Sequence, residues 1–404
     1  MRFSVQRILL AYMVLLPMLS SAGQADLHHA IGDPARKDRK VELVLDGIVD
    51  TASDETVTPE EMAARLSDVG MLFIGETHTN IDYHRVQLRT IRALHEAGRE
   101  VLIGLEMFPY TQQSSLNEWI EGDQSEQEFV EAAEWHTYWG YNWGYYREIF
   151  VYARDNGIRM FGVNTPREVV KAVRQKGFKD LTPEEAEHIP NGVLPVTDEQ
   201  RTMYRSFFDP DDALHMSDDR LDGMLRAQAT WDATMGWNSL QALRKHGGED
   251  AIMVVLIGSG HVTYGLGSER QTAPYYDGNI ASLIPVQNAD PTGAPVEKVQ
   301  ASYANFIWGL PRADYEIYPS LGVSLMGPIG KEPTQIIQLS AGSVADRAGF
   351  QVGDVLQSLG GEPVSSGVDL RRIVSGWRWG DVATAEILRD GKEQQISIAV
   401  RRDL

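Results

Sequence analysis

"LFIGETHTN", residues 72–80, decides how this chain is read. The four apolar residues 71–74 have the length and composition of a short buried strand. Gly75, Glu76, Thr77 and His78 follow at once. A turn needs the glycine alone, so a carboxylate, a hydroxyl and an imidazole at the mouth of a strand call for a reason.

Other short apolar runs end the same way. Stretch 100–104 ("EVLIG") leads to Glu106, 158–163 leads to Asn164-Thr165-Pro166-Arg167, and 251–257 ("AIMVVLI") leads to Gly258-Ser259-Gly260-His261. Amphipathic stretches at 83–97, 111–133, 147–155 and 167–245 separate these runs. Buried strands alternating with helices predict an α/β fold: a parallel β-sheet core with flanking helices. The helical stretches at about 111–157 and 167–245 are too long for single crossovers and predict a helical lid subdomain. Thr58, Pro59 and Glu61 open a helix with a capping box. After about Tyr315 the pattern alternates with period two between glycines, which predicts a small β-rich domain. The expected division is a leader at 26–57 (partly strand at 41–45), an α/β domain at 58–308, a proline-bearing linker at 309–319 and the β-rich domain at 320–404.

Composition limits the functions. The 404 residues carry a formal charge of −20, the wrong sign for tracking a phosphate backbone or an anionic lipid surface. Nucleic acid is therefore not an expected partner. At the start, Arg2 and Arg7 flank a polar segment, 8–19 is apolar, and small residues run to Ala25. That is the three-part pattern of a secretory signal peptide at 1–25, with an apolar run short for a membrane span. The expected location is the periplasm or outside the cell. The chain has no cysteine, which removes disulfides, thiolate metal sites, cysteine nucleophiles and a lipid-modified cysteine.

In parallel sheets, ligands bind outside the carboxyl ends of the strands. The expectation is one crevice there, holding Glu76, His78, Glu106 and His261. Two of the strand ends share the spacing Gly-x-x-His, and the glycines let the following side chain face the crevice. His78, His261 and Glu106 could hold a divalent metal. Alternatively they work without one, His78 as general base with Glu106 steadying its imidazolium. Gln228 and Asp232, four apart on one helix face, either brace the two histidines or form a solvated pair.

At these residues the chain resembles a known family. "LFIGETHTN", "VLIGLEMFP", "GVNTPRE", "AQATWDATM" and "VVLIGSGHVTYGLG" look like the ChaN family of the haem-binding uptake, Tiki-like superfamily, in order over about 66–284. The resemblance implies a parallel-sheet core with a helical lid, and haem or iron uptake at the bacterial envelope. It also implies haem held between two copies of the chain, hence a homodimer. Distant relatives, the Tiki proteases and erythromycin esterases, imply a hydrolase whose catalytic residues here would be Glu76, His78, Glu106 and His261. Lipoprotein members of the family are tethered through a cysteine that this chain lacks.

Haem needs an axial ligand and an apolar slot. Tyr204, beside Phe207 and Phe208, and His215 are the expected ligands. The run "WHTYWGYNWGYY" (135–146) reads either as a macrocycle-stacking wall or as an aromatic core. The C-terminal segment resembles a PDZ domain: "SLGVSL" (320–325) matches its carboxylate-binding loop. The physical expectation is a nest of N–H groups at Leu321, Gly322 and Val323 that takes a polypeptide C-terminus, which then adds as a strand. The groove helix is expected at 367–375, with 369–373 facing the ligand.

Overall fold

The structure is a computed structural model and describes residues 27–207, 217–326 and 334–402. The signal segment and His215 lie outside the described residues. The chain divides into two compact units that change over near Asp314 and Tyr315.

In the first unit the strands are β1 (Lys40–Glu42), β2 (Ile48–Asp50), β3 (Glu55–Val57), β4 (Val69–Glu76), β5 (Glu100–Pro109), β6 (Met160–Asn164), β7 (Ala251–Gly258), β8 (Asn279–Gln287), β9 (Lys298–Gln300) and β10 (Phe306–Leu310). Eight of them form one sheet in the order β3-β2-β10-β8-β4-β7-β5-β6. From β10 to β6 every neighbouring pair is parallel, while β2 and β3 add antiparallel at one edge. β7 is buried along its whole length, as a strand covered on both faces must be. The short pair β1 and β9 lies apart from this sheet. The stretch expected as a leader thus contributes β1, β2 and β3, and its Val41, Ile48 and Val49 are core residues.

Thr58 caps the helix Pro59–Arg65, and Glu61 closes the capping box. Helix Ile81–Glu96 starts at Asn80, whose side chain accepts from the Asp82 amide. Short helices fill 113–155 between β5 and β6, and 167–205 after β6. The 29-residue helix Asp218–His246, within the stretch expected as lid, packs on β6, β7 and helix Arg167–Lys176. That part of the stretch covers the sheet.

The aromatic run is an interior. Trp135 is fully buried, with ring centroids 5.0 Å from Trp143, 5.4 Å from Tyr146 and 5.7 Å from Phe108. Trp119 and Phe129 stack into the same block at 4.8 Å. Edge-to-face contacts of this kind fasten the helices to one another.

The second unit is a mostly antiparallel sheet of β11 (Val323–Met326), β12 (Gln335–Leu339), β13 (Val355–Leu359), β14 (Glu362–Pro363), β15 (Val382–Arg389) and β16 (Lys392–Ala399). β11 is an edge strand, paired only with β12 among the described residues. Helix Gly367–Ser375 packs beside β11 and buries Leu370, Ile373 and Val374 in the domain core. The expectation that 369–373 face a ligand is therefore corrected for Leu370 and Ile373. Asp369 is an N-terminal brace, with its carboxylate 2.7 Å from Ser365 Oγ and 2.9 Å from Ser366 Oγ.

Candidate functional site

β4 and β7 run side by side, with Glu76 opposite Gly258 at their carboxyl ends. β5 flanks β7 on its other side. Three adjacent strands therefore deliver Glu76 and His78, His261, and Glu106 to one edge, and the polar endings come together there. A Cβ placed on Gly258 would lie 3.2 Å from His78 Cε1, 3.5 Å from its Nε2 and 3.6 Å from Glu106 Oε2. The missing side chain of Gly258 is thus the space over which imidazole and carboxylate face each other.

On the β4 side, Glu76 is the centre of a hydrogen-bond cluster. Its Oε1 accepts from His78 Nδ1 at 2.8 Å and from the Tyr146 hydroxyl at 2.6 Å, and its Oε2 accepts from Gln87 Nε2 at 2.6 Å. Burial alone would raise this carboxyl, but the neighbouring His84, His78 and the Tyr146 hydroxyl bring it down to about 2. Burial opposes charge on His78 as well, yet Glu76 and then Glu106 raise its pKa. The carboxylate holding His78 is therefore Glu76, two residues away. Glu106, expected in that role, is turned to the other histidine. Thr77 is exposed and outside the cluster.

On the β7 side, His261 is clamped. Its Nδ1 donates to Asp232 Oδ1 at 2.6 Å, and the side-chain amide of Gln228 lies 2.7 Å from the same nitrogen. Its Nε2 lies 3.5 Å from Glu106 Oε1. Glu106 Oε2 in turn accepts the Gly258 amide at 2.6 Å, and Asn164 at the end of β6 donates to the Glu106 carbonyl at 2.9 Å. Burial disfavours the imidazolium, but Asp232 and then Glu106 outweigh it and lift His261 to about 10. The helix face expected to brace both histidines braces one of them.

Among the described residues no group of three or more His, Asp or Glu side chains is placed to hold a divalent metal. The Nδ1 atoms of His78 and His261 are engaged by Glu76 and Asp232, and His261 Nε2 lies 3.5 Å from Glu106 Oε1.

A ferric haem makes other demands: a phenol or imidazole that can give up its proton, and room for a flat macrocycle. Tyr204 lies in the helix Asp198–Arg205, is 5 % exposed, and has its ring 5.7 Å from Phe207. Burial, then the charges of Asp232 and Glu106, hold its phenol well above the ordinary value. Its hydroxyl is thus kept as O–H. Tyr110, which the sequence gave no reason to single out, is 36 % exposed and directly follows β5. Its oxygen is 2.6 Å from His188 Nδ1. Sequence reading also missed Tyr146 and Gln87. The one local signal was that Tyr110 stands four residues after Glu106, at the same strand end.

In the second unit, Gly322 has φ +79°, and a Cβ there would lie 2.2 Å from Ser343 Cβ. The carbonyls of Leu321 and Gly322 accept from Ala345 and Ser340, both at 2.9 Å. The loop is tied down through its oxygens, next to the open edge of β11.

Comparison with known proteins bears on both units. The sequence profile of the family described as haem-binding uptake, Tiki superfamily, ChaN matches residues 62–271, just over half of the chain. That of the PDZ domain matches residues 319–400. The chain is 38% identical over 65 residues to a probable periplasmic serine endoprotease, DegP-like, of Pseudomonas putida, which covers 16% of this chain and 14% of that protein. It is 25% identical over 212 residues to the chloroplastic protein RETICULATA-RELATED 5 of Arabidopsis thaliana, covering 50% of this chain and 28% of that one. The chain thus spans well under a third of the length of either relative. Among solved structures, one titled for cofacial haem binding to ChaN of Campylobacter jejuni aligns at 17% identity, TM-score 0.49, covering 65% of this chain and 95% of that one.

Proposed function

Since the chain belongs to the ChaN family of the haem-binding uptake, Tiki superfamily, and carries a PDZ domain, we propose that it binds haem in the cell envelope and docks a polypeptide partner through the PDZ domain. The family match across the α/β unit carries this reading. Export fits the signal-peptide pattern at 1–25, and mass spectrometry of the mature protein should find an N-terminus between Ala22 and Asp26. Among the described residues no helix is long and apolar enough to cross a membrane. Titrating ferric haem into the purified chain tests the central claim: saturable uptake with a shifted Soret band supports it, and a spectrum equal to free haem defeats it.

For the PDZ domain the ligand class is a polypeptide C-terminus. Its carboxylate would take the amides of the Leu321-Gly322-Val323 loop, and its backbone would extend the sheet at β11. The positive φ of Gly322 and the nearness of Ser343 leave no room for a side chain, so Gly322→Val should abolish peptide binding. Fluorescence anisotropy with C-terminal and amidated peptides reads this; equal binding of both would remove the carboxylate from the account.

One observation favours a second activity: two histidine–carboxylate pairs facing each other across Gly258. In a hydrolase, His78 would take a proton from water at Nε2 while Glu76 holds Nδ1. His261, kept as a cation, would stabilise the developing oxyanion or protonate the leaving group. Hydrolysis would be read with peptide and ester substrates, and haem binding by itself does not require these residues.

A further inference from the structure

We propose that Arg174 and Arg226, with Arg220 beside them, form an oxyanion site between two helices of the α/β unit, and that its ligand is a phosphate group. The proposal is independent of haem and of the histidine crevice.

The geometry comes first. Helix Arg167–Lys176 lies against the long helix Asp218–His246. Gly223 faces that contact. A Cβ there would lie 3.1 Å from the Arg174 carbonyl oxygen, 3.7 Å from Arg174 Cγ and 3.7 Å from Arg226 Nη2. The two arginine side chains thus meet at the gap left by a missing side chain. Arg226 Nη2 donates to the Arg174 carbonyl at 3.2 Å, which fixes that guanidinium in place. Its Nε is buried with no acceptor among the described residues, a donor that an oxygen entering there would satisfy. Gln228 and Asp232 leave the long helix in another direction, toward His261, so this site is separate from the crevice.

The balance of charge comes second. Elsewhere the chain gives its arginines carboxylates: Arg65 holds Asp50 and Glu55, Arg147 holds Glu126, and Arg389 holds Asp354. Those partners raise the pKa of all three arginines. Arg174 is the opposite case. It is half-buried, and burial and then the Arg220 charge lower its pKa, with no carboxylate to offset them. Among the described residues neither Arg174 nor Arg226 has an ion-pair partner, and Asp222, on the same helix as Arg226, is paired with Arg201 at 2.8 Å. Two half-buried guanidiniums without a counter-ion, and a third charge beside them, cost stability that a bound anion would restore.

The ligand class follows from the donors. A guanidinium presents its N–H groups as a planar fork that matches two oxygens of a phosphate. Two such forks at one gap suit an ion with several oxygens, which a chloride is not. The formal charge of −20 disfavours anions at the surface as a whole, so an anion held here is held by this local arrangement.

The test is calorimetric titration of inorganic phosphate, and separately of glycerol 3-phosphate, into the full chain at constant ionic strength set with sodium chloride. Binding should saturate with a dissociation constant on the order of 1 mM or tighter, and should weaken as salt is raised. Arg174→Gln and Arg226→Gln should each weaken it roughly tenfold or more, while Arg174→Lys, which keeps the charge and loses the fork, should weaken it less. Phosphate should raise the melting temperature of the parent and leave those of the two Gln variants in place. Circular dichroism checks that each variant is folded. Tighter binding of the monoester supports a phosphate carried on a larger molecule, and tighter binding of the inorganic ion supports the free anion. No saturable binding of either by the parent overturns the proposal, and so does equal binding by the parent and both Gln variants.

Discussion

His78 and His261 stand at the ends of adjacent parallel strands, each three residues after a glycine, yet they are different chemical objects. The His78 side chain is 16% exposed and holds one carboxylate, Glu76. The edge of its ring meets Trp139 at 4.8 Å between centroids. His261 is 6% exposed and lies between Asp232 and Glu106. One spacing in the sequence thus gives a more open histidine held by one carboxylate, its pKa raised, and a closed-in histidine that two carboxylates lift to about 10. The difference is set by residues brought from 29 and 155 positions away, which local sequence cannot express.

The largest test of this contrast removes the more open histidine, His78. If the crevice hydrolyses a substrate, His78→Ala should lower turnover by roughly 10²–10⁴-fold while circular dichroism stays unchanged. Haem binding by itself does not require these residues, so the haem spectrum should not move. A variant that keeps full turnover would make the two histidines equally structural.

The fixed cation should show itself in stability. Asp232→Ala strands the His261 charge in a buried site, at a cost of about 3–5 kcal/mol by urea denaturation. A smaller change is expected on the other side. Tyr146→Phe removes one of several hydrogen bonds to Glu76, and should cost about 1.5–3 kcal/mol. Equal losses would mean that the two sites are built alike.

The subtlest test is pH. The folded pKa of His261 is raised from 6.5 to about 10, so its contribution is complete below about pH 6.5 and is lost as pH rises through 10. That of Glu76 is lowered from 4.5 to about 2, so its contribution is complete above about pH 4.5 and is lost as pH falls through 2. Melting curves across pH should therefore fall on both sides. Asp232→Asn should flatten the alkaline side and leave the acid side in place.

Much of this was legible in the sequence where the cause is local. Strand ends, the Thr58 capping box and the helix Gly367–Ser375 follow from periodicity and capping residues within one short window. The edge made by β2, β3 and β10 was not, because Ile48 pairs with Trp308 across most of the chain. β8 was hidden by Pro285, which argues against an interior strand. It is tolerated because the ladder with β4 has already ended at Leu283. In the site, the residue types and their common edge were readable. The pairing was not: Glu76 with Tyr146, His261 with Asp232 and Tyr110 with His188 are all tertiary meetings.

Gly258 gives a geneticist a handle on this protein. A methyl group there would press on the His78 ring at 3.2 Å, without altering any charge or reaching the Tyr110 pair. An allele with alanine at this position would silence crevice chemistry and leave haem capture and peptide docking to the rest of the chain. Cells carrying it, set beside cells lacking the gene, would show by complementation whether crevice chemistry and the remaining activities serve one phenotype or two.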